Sequence, residues 1–506
     1  MTETVIEPAV TPGPKQPTHP RGLMTLFFTE MWERFSYYGM RALLVLFMVD
    51  AVSEGGMGLS DETATAIYGL YTAAVYLVAL PGGWIADRLL GAQKAVWFGG
   101  IIIASGHFVL AIPSTQAFFL GLILVILGTG LLKPNISAIV ADLYPEGGAR
   151  RDAGFTIFYM GINVGAAIGP LVCSTLGENL NWHYGFAAAG VGMVLGLIQF
   201  RLTAKHLGDA GLKPQAHEKG HEITAAENRQ HWIAMWIGVA AIVVLIVLGL
   251  SGVIVFDPVV LAGWGTAVIL GLASVYFAYL FLFAGLDRTE KGRVFVILIL
   301  FLAAAMFWSG FEQAGSSLNL FAERYTDRVL EAFNFTVPAG WFQSLNAVFI
   351  IVFAPVFASA WVWLARRHLE PSIPTKFALG LMILGSGFLV MFFAAKLVAG
   401  GSSAAPTWLI MTYLLHTFGE LCLSPVGLSS VTKLAPKRFV GQMMGIWFLA
   451  ASLGNLIAGL LAGGFRADAV DQMPSLYLQI VMSTVGAGLL LLIFARPIHK
   501  LTHGVK

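Results

Sequence analysis

Residues 30–41 read Glu30-Met31-Trp32-Glu33-Arg34-Phe35-Ser36-Tyr37-Tyr38-Gly39-Met40-Arg41, a segment that packs two carboxylates and two guanidiniums into otherwise apolar surroundings. At ~3.6 residues per turn, Glu30, Glu33, Arg34, Tyr37 and Arg41 fall on one stripe of a helix. Opposite charges one turn apart satisfy each other, and a carboxylate held by Arg can take a proton once that partner is drawn away. Glu30 and Glu33 are therefore the expected proton carriers, with Arg34 the partner whose pairing a proton weakens. The competing use, an ion-pair cluster that only holds helices together, is a task that apolar packing performs at lower cost. Three further ionisable residues lie inside apolar runs: Lys133 in Gly130-Leu131-Leu132-Lys133-Pro134-Asn135, Glu312 in Phe307-Trp308-Ser309-Gly310-Phe311-Glu312-Gln313, and Glu420 in His416-Thr417-Phe418-Gly419-Glu420. An isolated Lys in hydrocarbon is costly, so an acidic neighbour or a ligand carboxylate is expected beside Lys133.

The elements that must position these groups are membrane helices. Of the 506 residues, 57% are hydrophobic and 11% charged, where soluble domains are roughly a quarter charged. With a mean hydropathy of +0.77, the excess apolar surface must face lipid. About fourteen spans of ~20 residues are expected, near 22–49, 64–87, 95–113, 116–140, 153–177, 182–203, 231–252, 258–285, 294–324, 338–366, 376–398, 405–432, 439–464 and 475–496. The fold class is thus an all-α polytopic membrane protein. A charge at the centre of such a span costs on the order of 2.5–3.5 kcal/mol on insertion scales, so the stripe on the first span must face a wet cavity or partners.

Loops that alternate to the inside collect most of the Lys and Arg, and outer loops hold only Arg324, Arg328, Lys396 and Arg466. That asymmetry places both termini in the cytoplasm. Residues 1–21, rich in Pro and Thr, read as a disordered cytoplasmic tail. A six-helix bundle over 22–203 is followed by a polar cytoplasmic linker at 204–230, two surplus transmembrane helices at 231–285, a second six-helix bundle at 286–498 and a cytoplasmic tail at 499–506. The surplus pair carries almost nothing polar within the membrane, so it is expected at the periphery, lining no pathway. Cys173 and Cys422 lie in apolar segments far apart in sequence and read as buried small hydrophobes.

Four motifs in order along the chain carry a family resemblance. ExxERFxYYG at 30–39 resembles the signature of the proton-dependent oligopeptide transporters, a branch of the major facilitator superfamily. Gly83-Trp84-Ile85-Ala86-Asp87-Arg88-Leu89-Leu90-Gly91 resembles the superfamily's loop after the second span; Gly130 to Asn135 and Phe158-Tyr159-Met160-Gly161-Ile162-Asn163-Val164-Gly165 match as well. The short stretch near 399–406 resembles the bacterial form of the family. The resemblance implies a major facilitator fold, two six-helix bundles plus two extra helices, in a cell inner membrane. It implies a proton-coupled symporter that imports di- and tripeptides by alternating access, with no cofactor beyond the proton gradient and no nucleic-acid or obligate protein partner.

By the same resemblance, Arg41 pairs with Glu312 when the outer side is closed, and Lys133 with Glu420 when the inner side is closed. A peptide is a zwitterion, and poles of opposite sign bind it by its ends: Arg41 and Lys133 offer the positive pole, Glu312 and Glu420 the negative. Glu420, Asn163 and Asn346 are assigned to the amino end of the ligand, and Tyr37, Tyr38, Tyr68, Trp308 and Trp447 to the pocket walls. Asp87 and Arg88 are expected to latch the inner face. Some relatives carry a His seven residues before the conserved Tyr; here that position is Asp61, which puts a His-assisted proton step in doubt. His107 is a separate candidate, and Ala451 falls where some relatives have a hydroxyl near Trp447.

Soluble-enzyme motifs are absent from the sequence: His221-Glu222 lacks the second His of a zinc-protease helix, and no GxSxG or phosphate loop occurs. Two other readings stand beside peptide symport. One is a transporter of nitrate or another small anion, which Glu312 and Glu420 argue against. The other is a membrane-embedded peptide sensor or enzyme without a transport cycle.

Overall fold

The computed structural model describes residues 19–214, 224–466 and 469–505. Among them, fourteen helices of 19 residues or more run α1 Arg21–Val49, α2 Asp61–Ile85, α3 Ala92–Leu110, α4 Thr115–Asp142, α5 Gly148–Asn179, α6 Trp182–Thr203, α7 Ala225–Leu250, α8 Pro258–Leu282, α9 Arg288–Phe311, then, after the short α10 Ser317–Tyr325, α11 Ser344–Arg366, α12 Ile373–Ala399, α13 Pro406–Leu434, α14 Val440–Ala462 and α15 Met473–Ile493, with a short α16 Ala495–Lys500 at the end. Twelve helical segments have the length and hydropathy to cross a membrane. The helices outside that set are α1 and α3. In α1, the charges at Glu30, Glu33, Arg34 and Arg41 interrupt every apolar stretch long enough to cross.

Polar residues at the boundaries fix where the helices start. Thr224 with Glu227 and Asp287 with Glu290 form capping boxes on α7 and α9, satisfying amides that have no partner inside the helix. Asp257 accepts from Val259 and Val260 ahead of α8, where Pro258 needs no acceptor. The end of α2 loosens into a π-type turn, Ala86–Leu90, closed by Gly91 at φ +80°. A Cβ on Gly91 would come within 2.6 Å of the Leu212 carbonyl oxygen, so the turn needs both the left-handed backbone and the missing side chain.

The expected span 294–324 is broken. Helix α9 stops at Phe311, Glu312–Gly315 form a 3-10 turn, and α10 resumes at Ser317. Side chains compensate for the lost ladder: Gln313 donates to the carbonyls of Ser309 (3.3 Å) and Ala458 (3.0 Å) and accepts from Ser317 Oγ at 2.6 Å. The expected span 338–366 likewise starts with a 3-10 turn, Ala339–Gln343, before α11. A two-stranded hairpin, Val329–Leu330 with Phe335–Thr336, lies between α10 and that turn.

Packing sorts the helices into two sets. In the first, α1 rests on α5 and α6, and α3 on α4 and α6; in the second, α9 rests on α14, and α12 on α13 and α15. The sets meet along α2 with α14 and along α5 with α11. At the α2–α14 crossing Gly69 faces Gly459, where a Cβ on Gly459 would lie 2.5 Å from the Thr65 carbonyl oxygen and 2.9 Å from Gly69 Cα. That is backbone-to-backbone contact, the use of small residues expected in membrane helices.

The two surplus helices differ from each other. Helix α7 has no buried residue and touches the rest at the 86–90 turn, with His231 edge-on to Trp84 at 5.6 Å. Helix α8 lies along both α2 and α14, with Tyr276 donating to Gln442 at 2.5 Å, so it straddles the seam between the sets. The first part of the linker is folded as well: Gln93 bonds to the carbonyls of Gly208, Ala210 and Gly211, while the N-terminal tail up to residue 18 and linker residues 215–223 lie outside the described residues. At the other end of the chain, Thr502 is buried and its carbonyl accepts from Arg293 at 3.3 Å, so most of the expected tail docks on α9.

Candidate functional site

A cavity of about 210 Å³ lies between the two sets. From the first set Glu30, Arg34, Tyr38 and Arg41 of α1, Tyr76 of α2, Lys133 of α4 and Tyr159 and Asn163 of α5 line it. From the second come Trp308 and Phe311 of α9, Glu312 in the break, Gln343 and Asn346 at the start of α11, and Tyr413, His416 and Glu420 of α13. The helix geometry explains the grouping. Residues 30, 34, 38 and 41 follow one face of α1, and 413, 416 and 420 one face of α13. A larger groove of about 660 Å³, among Trp32, Phe35, Val172, Leu195 and their neighbours, has no charged side chain in its lining. It cannot meet the poles of a zwitterion.

Two ion-pair systems border the cavity. On α1, Arg34 Nε lies 3.2 Å from Glu30 Oε1 and also bonds Glu33 Oε2. Glu30 reaches the cavity, whereas Glu33 is fully buried behind it. Across the sets, Arg41 Nη2 meets Glu312 Oε2 at 2.8 Å, both side chains less than a tenth exposed. Tyr68 donates to the same Glu312 oxygen at 3.4 Å, and the Arg41 guanidinium lies 5.7 Å from its ring. The end of the break requires a glycine: a Cβ on Gly315 would come within 2.1 Å of the Tyr68 hydroxyl.

Lys133 and Glu420 share the cavity without pairing. Lys133 Nζ stands 4.3 Å from the Tyr76 ring centroid, a cation–π contact, and among the described residues no carboxylate lies within ion-pair distance of it. Glu420 accepts from Asn346 at 3.0 Å, and Asn346 also donates to Thr417. Asn163 donates to the Tyr159 carbonyl of its own helix and faces the cavity.

Several expected positions fall elsewhere. Tyr68 is fully buried behind the Arg41–Glu312 pair rather than on the wall. Tyr37 stacks on Tyr71 and stands edge-on to Tyr38, outside the cavity lining. Trp447 is taken up by a notch in α13, where a Cβ on Gly427 would sit 2.0 Å from its ring, and it meets Phe377 at 6.3 Å. Asp87 and Arg88 occupy the π-type turn beneath α2, away from the cavity. His107 is buried in α3 with neither ring nitrogen hydrogen-bonded, and it too is outside the cavity. The cavity also contains residues the sequence did not single out: Tyr76, Tyr159, Gln343, Tyr413 and His416. For Tyr76 and Tyr159 the available signal was helical register, eight residues after Tyr68 and four before Asn163.

Among the described residues, several polar contacts joining the sets lie toward one end: besides Arg41–Glu312, Arg324 of α10 makes a two-pronged bond to Asp61 of α2 at 2.7 and 2.8 Å, and Asn319 donates to the Ala42 carbonyl at 2.8 Å. Midway along α2 and α14, Ser452 donates to the Ala73 carbonyl at 3.1 Å. The position where some relatives have a His is thus a carboxylate paired with Arg.

The sequence and fold have counterparts among known proteins. Residues 93–475 match the POT family. The chain is 45% identical to the peptide transporter YePEPT of Yersinia enterocolitica, over 96% of each chain, and 37% identical to a di-/tripeptide transporter of Lactococcus lactis, over 96% of this chain and 97% of that one. A solved peptide transporter POT in complex with sulfate superposes with a TM-score of 0.88 at 42% identity, covering 97% of this chain and 98% of that one. A mutant of a peptide transporter POT, in complex with alafosfalin, superposes with a TM-score of 0.86 at the same identity and 97% coverage of each chain. A multi-pass bundle in two sets, a charged cavity between them and likeness along nearly the whole length lead to one assignment: the chain belongs to the POT family of peptide transporters, with the major facilitator fold.

Proposed function

We propose that the chain imports di- and tripeptides with protons across the cytoplasmic membrane, its two helix sets opening in turn to either side. The observation that carries this reading is the distribution of charge around one cavity. Cations Arg34, Arg41 and Lys133, with the carboxylate Glu30, come from the first set and carboxylates Glu312 and Glu420 from the second, and the pair Arg41–Glu312 bridges the sets beside the chamber. With both termini cytoplasmic, the end where the polar contacts gather is the outer one, and the cavity faces the cytoplasm.

In this mechanism the peptide's carboxylate goes to Lys133 and Arg34, and its ammonium to Glu420, steadied by Asn346 and Asn163. The aromatic walls Tyr38, Trp308, Phe311 and Tyr413 accept varied side chains without demanding one shape. A proton on Glu30 loosens its grip on Arg34, leaving that guanidinium for the peptide carboxylate. Release of the proton inward restores the pair and expels the peptide. Lys133, free of a carboxylate in this state, moves to Glu420 when the inner side closes and the Arg41–Glu312 bridge opens, a contact made in one state and broken in the other. The proton gradient supplies the drive and no bound cofactor is needed. Asp87 and Arg88 act at the inner rim and not on substrate.

The test is uptake of a labelled dipeptide into vesicles holding the purified protein. An inward proton gradient should drive accumulation above equilibrium, and collapse of the gradient should abolish it. Peptide binding or cleavage without accumulation would replace transport by a sensor or an enzyme; nitrate accumulation in place of peptide would favour the anion reading, which three carboxylates on the cavity wall, Glu30, Glu312 and Glu420, oppose.

A further inference from the structure

The Arg41–Glu312 bridge is not the sole fastening of the outer end. On the opposite flank, where α5 meets the 3-10 turn Ala339–Gln343, a carboxylate from one set caps the backbone of the other. Glu178 Oε2 accepts the Ala339 N–H at 2.6 Å and Oε1 accepts the Gly340 N–H at 2.9 Å. These are the leading amides of the turn, which have no acceptor within it. The Glu178 side chain is 10% exposed, and Arg328 Nη1 lies 3.7 Å from Oε2 while bonding the Val337 carbonyl at 2.6 Å. One residue further, the Trp341 indole N–H donates back to α5, to the Leu171 carbonyl at 3.0 Å and Thr175 Oγ1 at 2.9 Å. Between the two, Gly340 rests on α5 so closely that a Cβ would fall 2.0 Å from Ser174 Oγ.

The same turn ends in the cavity. Gln343, its last residue, lines the chamber with Nε2 buried and without a hydrogen-bond partner, and Asn346 follows one turn later holding Glu420. We propose that Glu178 is a positioning residue that latches α11 to α5. With Trp341 it holds the outer end closed independently of Arg41–Glu312, and it fixes the register at which Gln343 and Asn346 face the peptide. Opening outward must then break the carboxylate cap and both indole bonds, and the movement withdraws Gln343 from the chamber. Charged acceptors bound to backbone amides are among the stronger hydrogen bonds, so this flank resists opening even when the bridge beside the cavity is released.

The latch takes its meaning from the alternating-access reading, and its test is separable from transport. Spin labels at Leu180→Cys, just past the end of α5, and Phe333→Cys on the hairpin, both exposed in the parent chain, report the width of the outer end in lipid discs without substrate or gradient. Native Cys173 and Cys422 are buried. The parent should give one short distance. Glu178→Ala should add a longer one, raising the open-to-closed ratio about tenfold, the factor carried by one lost charge-assisted hydrogen bond, and Trp341→Phe should raise it about fivefold, in keeping with the loss of neutral bonds; Glu178→Gln, which keeps an acceptor, should fall between the parent and Glu178→Ala. If Glu178→Ala does not fold, Trp341→Phe, which keeps an aromatic ring without the N–H, decides alone. Parent-like distances in the folded variants overturn the latch. Because the readout needs no transport, a chain that accumulates no peptide would leave this result standing.

Discussion

Lys133 faces the cavity with an aromatic ring beside it and no carboxylate in ion-pair reach, while its expected partner Glu420 is held by Asn346. A cation so placed is ready for a ligand's carboxylate. Lys133→Ala should cut uptake of ordinary dipeptides at least about tenfold, the worth of one charged hydrogen bond, and should matter far less for dipeptides amidated at the carboxyl end; equal losses would remove Lys133 from carboxylate binding. On α1, the two acids separate by position. Glu30→Gln, at the cavity wall, should stop gradient-driven uptake yet leave peptide exchange across vesicles at equal pH, as measured by counterflow. Intact gradient-driven accumulation in that variant would move proton coupling elsewhere. At this scale the sequence was most legible where a residue was expensive: every ionisable side chain read as a chamber group lines the chamber, save Glu33, which belongs to its rim of ion pairs. Aromatic residues carry no such cost in a span. Trp447 could equally fill the notch over Gly427, and Tyr76 could equally have faced lipid, so neither place followed from type alone.

At the level of helices, hydropathy located the spans well and their interruptions poorly. The break at Glu312–Gly315 and the 3-10 turn before α11 stay apolar enough to read as continuous helix, and the bonds that replace the ladder come from residues distant in sequence, such as Ala458. The glycine pair at the α2–α14 crossing also escapes a reading of one helix at a time, because its reason lies in the facing backbone. Gly459→Val should wedge that crossing apart, at about 1–3 kcal/mol for overpacking, and shift the outer end toward opening; trapping with a reagent specific to outward-facing cysteines would record it. On the same rim, Arg324→Ala removes the two Nη bonds to Asp61, whose side chain is 12% exposed. Outward opening should increase in that variant, and the exchange Asp61→Arg with Arg324→Asp should restore the parent behaviour. Failure of the exchange to restore it would mean the pair acts through something other than mutual attraction.

Across the whole molecule, the two sets of helices and the chamber between them were foreseeable from the long polar linker, the alternation of basic loops and the motif order. Both surplus helices lie at the periphery and neither lines the chamber, as their apolar sequence implied, but the neighbours each would take were not legible. One of them, α7, sits almost alone, while α8 follows α2 and α14 together, and nothing in its near-uniform apolar sequence specifies that face. The charge on α1 reaches furthest of all. It alone among the helices of the first set has every crossing-length stretch interrupted by Glu30, Glu33, Arg34 and Arg41, each costing on the order of 2.5–3.5 kcal/mol at mid-membrane. Its neutralising contacts are partly its own and partly Glu312, made hundreds of residues later, and the helices it leans on, α5 and α6, are synthesised after it. During biosynthesis α1 should therefore linger at the translocon or the lipid headgroups until α5 and α6 emerge. In ribosome-stalled chains ending after α2, a cysteine placed on α1 should stay reactive to a water-soluble thiol reagent, and in chains ending after α6 it should be protected. The side chains that serve the finished transporter thus set the order in which the cell can assemble it.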